Sequence, residues 1–545
     1  MRNVIDMGFD TFEGNDALRR SLAWSLADGL KNVGDSPLLC DCGLGNKIYS
    51  GFEILSQSLA LSERLRGRGA ANGRLGIAIP PSFPGAVANY AAVFAGLRPV
   101  NLNFTLGEKA AASCFKTGGI QTVLTARIFR EKITKANPHF PWPGDTKDFF
   151  EIASEIPDGR IGRIDSLART DFAALAESFG IEKYADNAAE ATLVFTSGSE
   201  GNPKAAVLTE RNLIANCLQT KLCGLFEDGD VFMANLPIFH SFGQLFEVWY
   251  MALHGQYTVT LSNPLDIKNN IRAIRENRVS IMIGSPTFLR PYLKYASPED
   301  MKSMRKAVSG AEKTPNGFAE LWDSRFGESY REGYGLTEAS PVVGVNLPER
   351  DFGWYSTGTR KGSIGKIFPG MQARILDVDT LEELPLGEQG LLSLRGANIF
   401  AGYLDNPEAT SRTLTGEWLV TGDLARLDKD GFLYVDGRIS RFSKIGGEMV
   451  PHATVESALI KHLGFGDSEI PMLAVSSRLD ESKGEALVLL SAADISLPEV
   501  KKAAREAGLS NLWHPKHIVR VDKIPVLPTG KLNLREIAAI AAKPL

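Results

Sequence analysis

Between Leu193 and Thr209 the chain reads LVFTSGSEGNPKAAVLT, and the run Thr196-Ser197-Gly198-Ser199-Glu200-Gly201 sets hydroxyls and glycines together just ahead of Pro203-Lys204. Glycine admits positive φ, so successive N–H groups can converge on an anion. The hydroxyls add donors or metal contacts, and a lysine adds a point charge suited to phosphate. Taken alone, the same run also suits a surface loop. It contains neither GxxxxGK[ST] nor GxGxxG, so it is not a Walker loop or a dinucleotide fingerprint. Further along, Asn235-Leu-Pro-Ile-Phe-His-Ser-Phe-Gly243 sets His240 among aromatics. A lone histidine there suits a core position, and a histidine donor beside a carboxylate suits orienting it. Arg331-Glu-Gly-Tyr-Gly-Leu-Thr-Glu338 and Glu417-Trp-Leu-Val-Thr-Gly-Asp423 each end a turn-forming stretch on a carboxylate. Carboxylates can hold magnesium or accept from vicinal hydroxyls.

The elements that must position these residues come from a chain of 545 residues, long enough for more than one domain. Its 60 basic and 64 acidic residues give a net charge of −4, so no global field favours nucleic acid. Cys40, Cys42, Cys114, Cys217 and Cys223 are odd in number and form no paired metal-ligand pattern, which reads as reduced thiols. The opening MRNVIDMGFDTFEGND has no apolar core of a secretory signal, and no apolar run approaches the roughly 20 residues that cross a bilayer. The expected location is cytoplasmic.

Helical spacing runs over Asp16 to Leu30 and Phe52 to Leu65, followed by a compact strand at Arg74 to Pro80. An apolar helix from Gly85 to Leu97 and a strand from Pro99 to Asn103 continue the alternation, which favours a mainly parallel sheet covered by helices. Lys132 to Arg163 shows no clear period and is expected to be a surface excursion. Leu193 to Phe195 reads as a buried strand, and Thr209 as the N-cap of a following helix. From Gly362 to Gly437, short strands at Gln372 to Leu376, Gly390 to Leu394 and Phe432 to Val435 suggest a small β-barrel. The C-terminal part returns to strand and helix, with strands at Met472 to Ser476 and Ala486 to Leu490 and a helix from Leu497 to Ala507.

TSGSEGNPK resembles the phosphate loop of the adenylate-forming superfamily, which includes acyl- and aryl-CoA synthetases, luciferases and peptide-synthetase adenylation domains. Glu200 stands where that family usually has Thr, and Ala205 where it has Gly. Glu200 adds a negative charge that repels ATP unless its side chain points away. Five more segments follow in the family's order: Lys306-Ala-Val-Ser-Gly-Ala-Glu312, YGLTE, WLVTGD, FSKIGGEMV and IPVLPTGK.

The resemblance implies the following assignments. Ser197, Gly198, Ser199, Gly201 and Lys204 cradle phosphates, and Gly310, Ala311 and Glu312 turn against adenine. Tyr334 stacks on the base from the Gly335 turn, and Thr337 meets the α-phosphate. Glu338 and Thr196 ligate magnesium, while Asp423 and Arg438 hold the ribose. His240 lies beside the acid's carboxylate. Ser440 falls at the hinge, where relatives carry Asp or Lys. Lys444, Gly446 and Gly447 line a thiol channel, and Lys531 bridges the charge of the adenylation step.

The implied fold is α/β. A large N-terminal domain (1–437) of doubly wound sheets carries a small β-barrel subdomain, and a small mobile α+β C-terminal domain (441–545) follows. FTSGSEGNPK, SGAEKT, REGYGLTEASPVV, FSKIGGEMV and SKGEALVLLS look most like the acyl-ACP synthetase half of the bacterial acylglycerophosphoethanolamine acyltransferase/acyl-ACP synthetases. This implies ATP, Mg2+, a fatty acid, and the phosphopantetheine thiol of acyl carrier protein as acceptor. A fatty acyl-CoA or aryl-CoA ligase using CoA shares every ATP motif, and a silent acyl- or nucleotide-binding homologue is the remaining alternative. Lys501, Lys502, Arg505, Lys516 and Arg520 suit either an acidic carrier protein or a solvated helix face. Peripheral membrane contact is compatible with the sequence, although no amphipathic segment demands it.

Overall fold

Strands that alternate with apolar helices bury both faces most easily by parallel pairing beneath those helices. The computed structural model describes residues 3–68, 72–196, 203–445, 448–466, 468, 470–480, 484–526 and 532–543. A nine-stranded sheet takes the order Lys366–Ile367, Val342–Val345, Tyr330–Gly335, Lys306–Ser309, Ile281–Gly284, Phe232–Ala234, Thr258–Thr260, Pro37–Asp41, Lys47–Ser50. Its six central strands, Tyr330–Gly335 through Pro37–Asp41, are parallel, and the pairings beyond them are antiparallel. A four-stranded parallel sheet is built from Arg98–Asn101, Arg74–Ala78, Thr122–Thr125 and Asp145–Asp148. The helix Phe83–Phe94 is buried almost all round, which its uniformly apolar sequence requires.

Two expectations change in this region. Asp16 to Leu30 is not one helix: a 3₁₀ turn spans Asp16–Arg19, and the α-helix Leu22–Val33 starts afresh at Ser21. The Ser21 hydroxyl accepts from Trp24 N at 3.0 Å and the Glu210 carboxylate from Leu22 N at 2.7 Å, which makes a new helix start cheaper than continuation. Lys132 to Arg163 is also no loose excursion. The helix Arg127–Ala136 enters it, Asp145–Asp148 adds an edge strand, and Asp148 caps the helix Phe149–Ser154. A half-buried edge strand of sequence Asp-Thr-Lys-Asp carries no apolar alternation, which is why its period is invisible.

The hairpin of Glu190–Thr196 and Lys204–Thr209 forms a separate three-stranded antiparallel sheet with Gly402–Tyr403. Thr209 then caps the helix Glu210–Leu222 in a reciprocal box with Asn212. Asn212 also donates to Ala397 O at 2.8 Å and Ile399 O at 2.7 Å, so one buried amide closes the helix start and anchors the approach to Gly402–Tyr403.

The Gly362 to Gly437 region is antiparallel, as its short strands suggest, but the strand path does not close among the described residues. Ile5–Asp6, Gln372–Leu376, Gly390–Arg395, Trp418–Leu427 and Leu414–Thr415 follow one another, and Leu433–Arg438 also pairs with Trp418–Leu427. Closure needs the last strand to reach the first. Here the beginning of the chain occupies the edge at Gln372–Leu376 instead. Beyond it, Glu448–Pro451, Phe442–Ile445, Gly484–Ser491, Leu473–Asp480 and His517–Arg520 make a five-stranded sheet flanked by the helices His452–His462, Leu497–Glu506 and Leu534–Ala541. The apolar faces of this sheet pack into two clusters of their own.

One polar group lies deep inside the larger part. In the π-helical turn Leu245–Tyr250, Glu247 is 6% exposed, and its carboxyl accepts from Leu236 N at 2.6 Å. Burial pushes this carboxyl well above its ordinary range. The folded state therefore holds the proton to higher pH than the unfolded chain, and stability falls as pH rises above the unfolded value of about 4.3. Glu247→Gln keeps the acceptor and removes the titration. Its thermal midpoint is expected to fall less than that of the wild type between about pH 5 and about pH 8. Equal falls in parallel melts would refute this.

Candidate functional site

The ends of the Thr196–Lys204 loop are fixed by the hairpin, since Thr196 and Lys204 face each other as strand partners. Ser197, Gly198, Ser199, Glu200 and Gly201 lie outside the described residues. The Lys204 ammonium stands over the ring of Tyr403, 5.2 Å from its centre. The Tyr403 hydroxyl donates to Glu338 Oε1 at 2.6 Å, and Phe400 N donates to the Glu338 carbonyl at 3.0 Å.

Glu338 follows the strand Tyr330–Gly335 through a tight corner. A Cβ on Gly335 would sit 2.2 Å from the Pro341 carbonyl oxygen, so only glycine lets the chain double back here. In this corner the Thr337 hydroxyl lies 3.1 Å from the Ser241 hydroxyl. Tyr334 donates its hydroxyl to Asp423 Oδ2, and Arg438 Nε lies 2.9 Å from Asp423 Oδ1. Asp423 and Arg438 are register partners across their strand pair, which aims both side chains to one spot.

Asp423 is 3% exposed, and burial raises its carboxyl above the usual range against the opposing pull of Arg438 and the Tyr334 hydrogen bond. Burial, then the neighbouring Asp423 charge, pushes the Tyr334 phenol well up, so it stays a donor. Each Asp423 oxygen retains capacity to accept a further hydrogen bond.

Gly310 follows the buried strand Lys306–Ser309, and an added Cβ there would lie 3.3 Å from the Phe242 ring. Ala311 follows at φ +65°, the left-handed conformation that favours glycine. Glu312 comes next and is tied to the neighbouring helix. Its carboxylate accepts from the Thr287 hydroxyl at 2.7 Å and from Thr287 N at 3.3 Å, in the first turn of the helix Pro286–Tyr295, where a negative charge is favoured. His240 is exposed, not a core histidine. It precedes the short helix Ser241–Gln244, with its ring 4.7 Å from that of Phe239.

Lys444 is engaged elsewhere, with its ammonium 2.6 Å from the Asp379 carboxylate. Gly446, Gly447 and Lys531 lie outside the described residues. Three of the five basic C-terminal residues stand beside acids: Lys516 pairs with Asp480 at 2.8 Å, Lys502 with Glu506 at 3.8 Å, and Arg520 with Asp494.

The structure thus joins Tyr334, Asp423 and Arg438 by a hydrogen bond and an ion pair, sets Lys204 and Glu338 on the two ends of Tyr403, and places Thr337 against Ser241 in the Gly335 corner. It adds Tyr403, Ser241 and Phe242, which sequence reasoning did not single out. Gly402–Tyr403 is a two-residue strand and too short for any periodicity to flag. Gly335→Ala is expected to cost about 1–3 kcal/mol through the clash with Pro341. Thermal melting tests this, and an unchanged midpoint would show that the corner accommodates a methyl group.

Comparison with known proteins gives this site a setting. The model of a family described as AMP-binding enzyme matches residues 30–404. The 4-coumarate–CoA ligase 2 of Oryza sativa subsp. japonica is 28% identical over 478 residues, covering 83% of this chain and 80% of that protein. The long-chain-fatty-acid–CoA ligase of Salmonella typhimurium is 30% identical over 356 residues, which is 64% of this chain and 61% of that protein. The o-succinylbenzoate CoA synthetase of Bacillus subtilis, solved with its acyl-adenylate intermediate, superposes with a TM-score of 0.76 at 23% identity, covering 94% of this chain and 97% of that one. At this identity the superposition establishes the α/β fold, with its larger N-terminal and smaller C-terminal parts. The family match runs through the hairpin, the Gly335 corner and Glu338 to the Tyr403 strand, and the chain belongs to the AMP-binding enzymes.

Proposed function

We propose that this chain is an ATP-dependent, AMP-forming acid–thiol ligase that activates a fatty acid as its acyl-adenylate and passes the acyl group to a phosphopantetheine thiol. The observation that carries the reading is the Tyr334–Asp423–Arg438 cluster, centred on the buried Asp423 carboxylate and set beside Glu338 and the Thr196–Lys204 hairpin. Its donor set suits a nucleotide. Asp423 can accept from two ribose hydroxyls with Arg438 alongside, and Tyr334 offers a ring for the base, with Gly310, Ala311 and Glu312 along its edge.

Glu338 Oε2 takes no hydrogen bond among the described residues and suits Mg2+, with Thr196 as a second contact. No group of three or more metal-binding side chains occurs among the described residues. A cation beside Glu338 would be held by that one carboxylate, phosphate oxygens and water. When bound, the metal neutralises phosphate charge.

The chemistry asks two anions, a carboxylate and a triphosphate, to approach in line. Ser197, Gly198, Ser199, Gly201 and Lys204 offset the phosphate charge, and Thr337 meets the α-phosphate. His240 orients the acid, with Phe239 and Phe242 supplying apolar surface. Lys531 bridges the charge that develops as the bond to pyrophosphate breaks. In a second orientation the C-terminal domain (441–545) moves against residues 1–437, Lys531 withdraws, and Lys444, Gly446 and Gly447 line the thiol's path. That motion requires the Lys444–Asp379 pair to open.

The relatives' names support CoA as acceptor, whereas the finer sequence resemblance supports acyl carrier protein. The pairing of Lys502, Lys516 and Arg520 with acids weakens the basic-patch argument for the carrier. Offering CoA and holo-acyl carrier protein in parallel, with a fatty acid panel and ATP, decides between them. Thioester on CoA alone is the outcome expected from the relatives, and loading of the carrier with CoA idle would establish the acyl-ACP synthetase reading. Absence of ATP–pyrophosphate exchange with every acid would overturn the ligase reading.

Lys531→Ala is expected to lose about 10²–10³-fold in adenylation rate while still consuming preformed acyl-adenylate. Normal pyrophosphate exchange in that variant would sink the assignment.

A further inference from the structure

We propose that Tyr403 is a positioning residue that sets the Glu338 carboxylate and the Lys204 ammonium in register, the first through its hydroxyl and the second through its ring. The inference rests on the reading of Glu338 as the metal-facing carboxylate. Tyr403 is fixed first by backbone. Gly402 and Tyr403 pair with Val207 and Ala206, Ala401 N donates to Val207 O at 3.1 Å, and Leu404 N donates to Ala205 O at 2.9 Å. The residue is therefore an added strand on the hairpin that carries Lys204. A second hold comes from the helix Pro407–Thr413, where the Thr410 hydroxyl accepts from Tyr403 N at 2.9 Å. Phe400 packs edge-on at 5.0 Å, and the same Phe400 donates its N–H to the Glu338 carbonyl.

From this fixed position the hydroxyl donates to Glu338 Oε1 at 2.6 Å, a short charge-assisted bond. Pinning Oε1 leaves Oε2 to face a cation, so the carboxylate does not have to be ordered when the metal arrives. The Tyr403 ring meanwhile carries the Lys204 ammonium at 5.2 Å, which orients that charge, and among the described residues no carboxylate pairs with it. An acidic residue at this position would hold Lys204 more tightly and cancel its attraction for phosphate. An aromatic ring avoids that.

The test uses the full chain, Mn2+ as a paramagnetic probe, and α,β-methylene-ATP in the absence of any acid. Tyr403→Phe keeps the ring and removes the hydroxyl. Its Mn2+ affinity is expected to weaken about 10–100-fold, while metal-free nucleotide binding stays at the wild-type level. Tyr403→Leu is expected to weaken metal-free nucleotide binding as well, because Lys204 loses its platform. Glu338→Gln supplies the reference. It should lose Mn2+ affinity by itself, and Tyr403→Phe added to it should cost little more.

If Glu338→Gln leaves Mn2+ binding intact, the metal reading fails. If Glu338→Gln weakens Mn2+ and Tyr403→Phe does not, the role of Tyr403 is overturned while the metal reading stands. Should Tyr403→Leu not fold, Tyr403→Phe and the double variant still decide the role of the hydroxyl.

Discussion

A carboxylate taken out of water has to be held by donors or it gives up its charge, and Asp423 imposes that condition on two sheets at once. Tyr334 reaches it from the nine-stranded sheet, and Arg438 from the neighbouring strand of the antiparallel sheet. The strand pairing that puts Arg438 opposite Asp423 shifts register between Leu424 and Ala425, just past the Asp423–Arg438 and Leu424–Gly437 pairs. Such irregularities re-aim side chains near sites. The junction of the sheets is therefore set by a polar requirement as much as by apolar packing.

Around that junction, neighbouring elements hold the working groups by short local links. Glu338 is gripped at its carboxylate by Tyr403 and at its carbonyl by Phe400. The segment leading to Phe400 is gripped by Asn212, which belongs to the helix launched by the hairpin. The Glu190–Thr209 hairpin, the helix start, the Tyr403 strand and the Glu338 corner thus form one chain of hydrogen bonds. Rigid elements of this kind supply the precision that an in-line reaction between two anions demands.

Much of this was legible in the sequence wherever backbone geometry limits the choice of residue. The Gly335 corner, the small residues at Gly310 and Ala311, and the Thr209 cap all require particular residue types, and each stands where its motif suggested. The alternating strands and helices likewise announced the parallel sheets. Partners separated by long stretches of chain were not legible. Nothing near Tyr403 in sequence points to Glu338, and nothing near Glu312 points to Thr287. The open antiparallel sheet was hidden for the same reason, since its edge is filled by Ile5–Asp6 from the far end of the chain. The break at Ser21 was masked because the leucines on both sides keep a helical spacing even though they enter different apolar clusters.

Asn212 carries a further implication for which sequences this fold tolerates. Aspartate or serine at this helix position could still complete a capping arrangement, and a family of helices judged by its caps alone would treat them as equivalent. Neither offers the amide donors that meet the carbonyls of Ala397 and Ile399. A substitution that looks conservative for the helix would take the amide donors from one buried and one part-buried carbonyl in a different part of the chain. The constraint on this position therefore comes from the segment that leads into the Tyr403 strand, and substitutions at 212 and around 397–403 should be judged together.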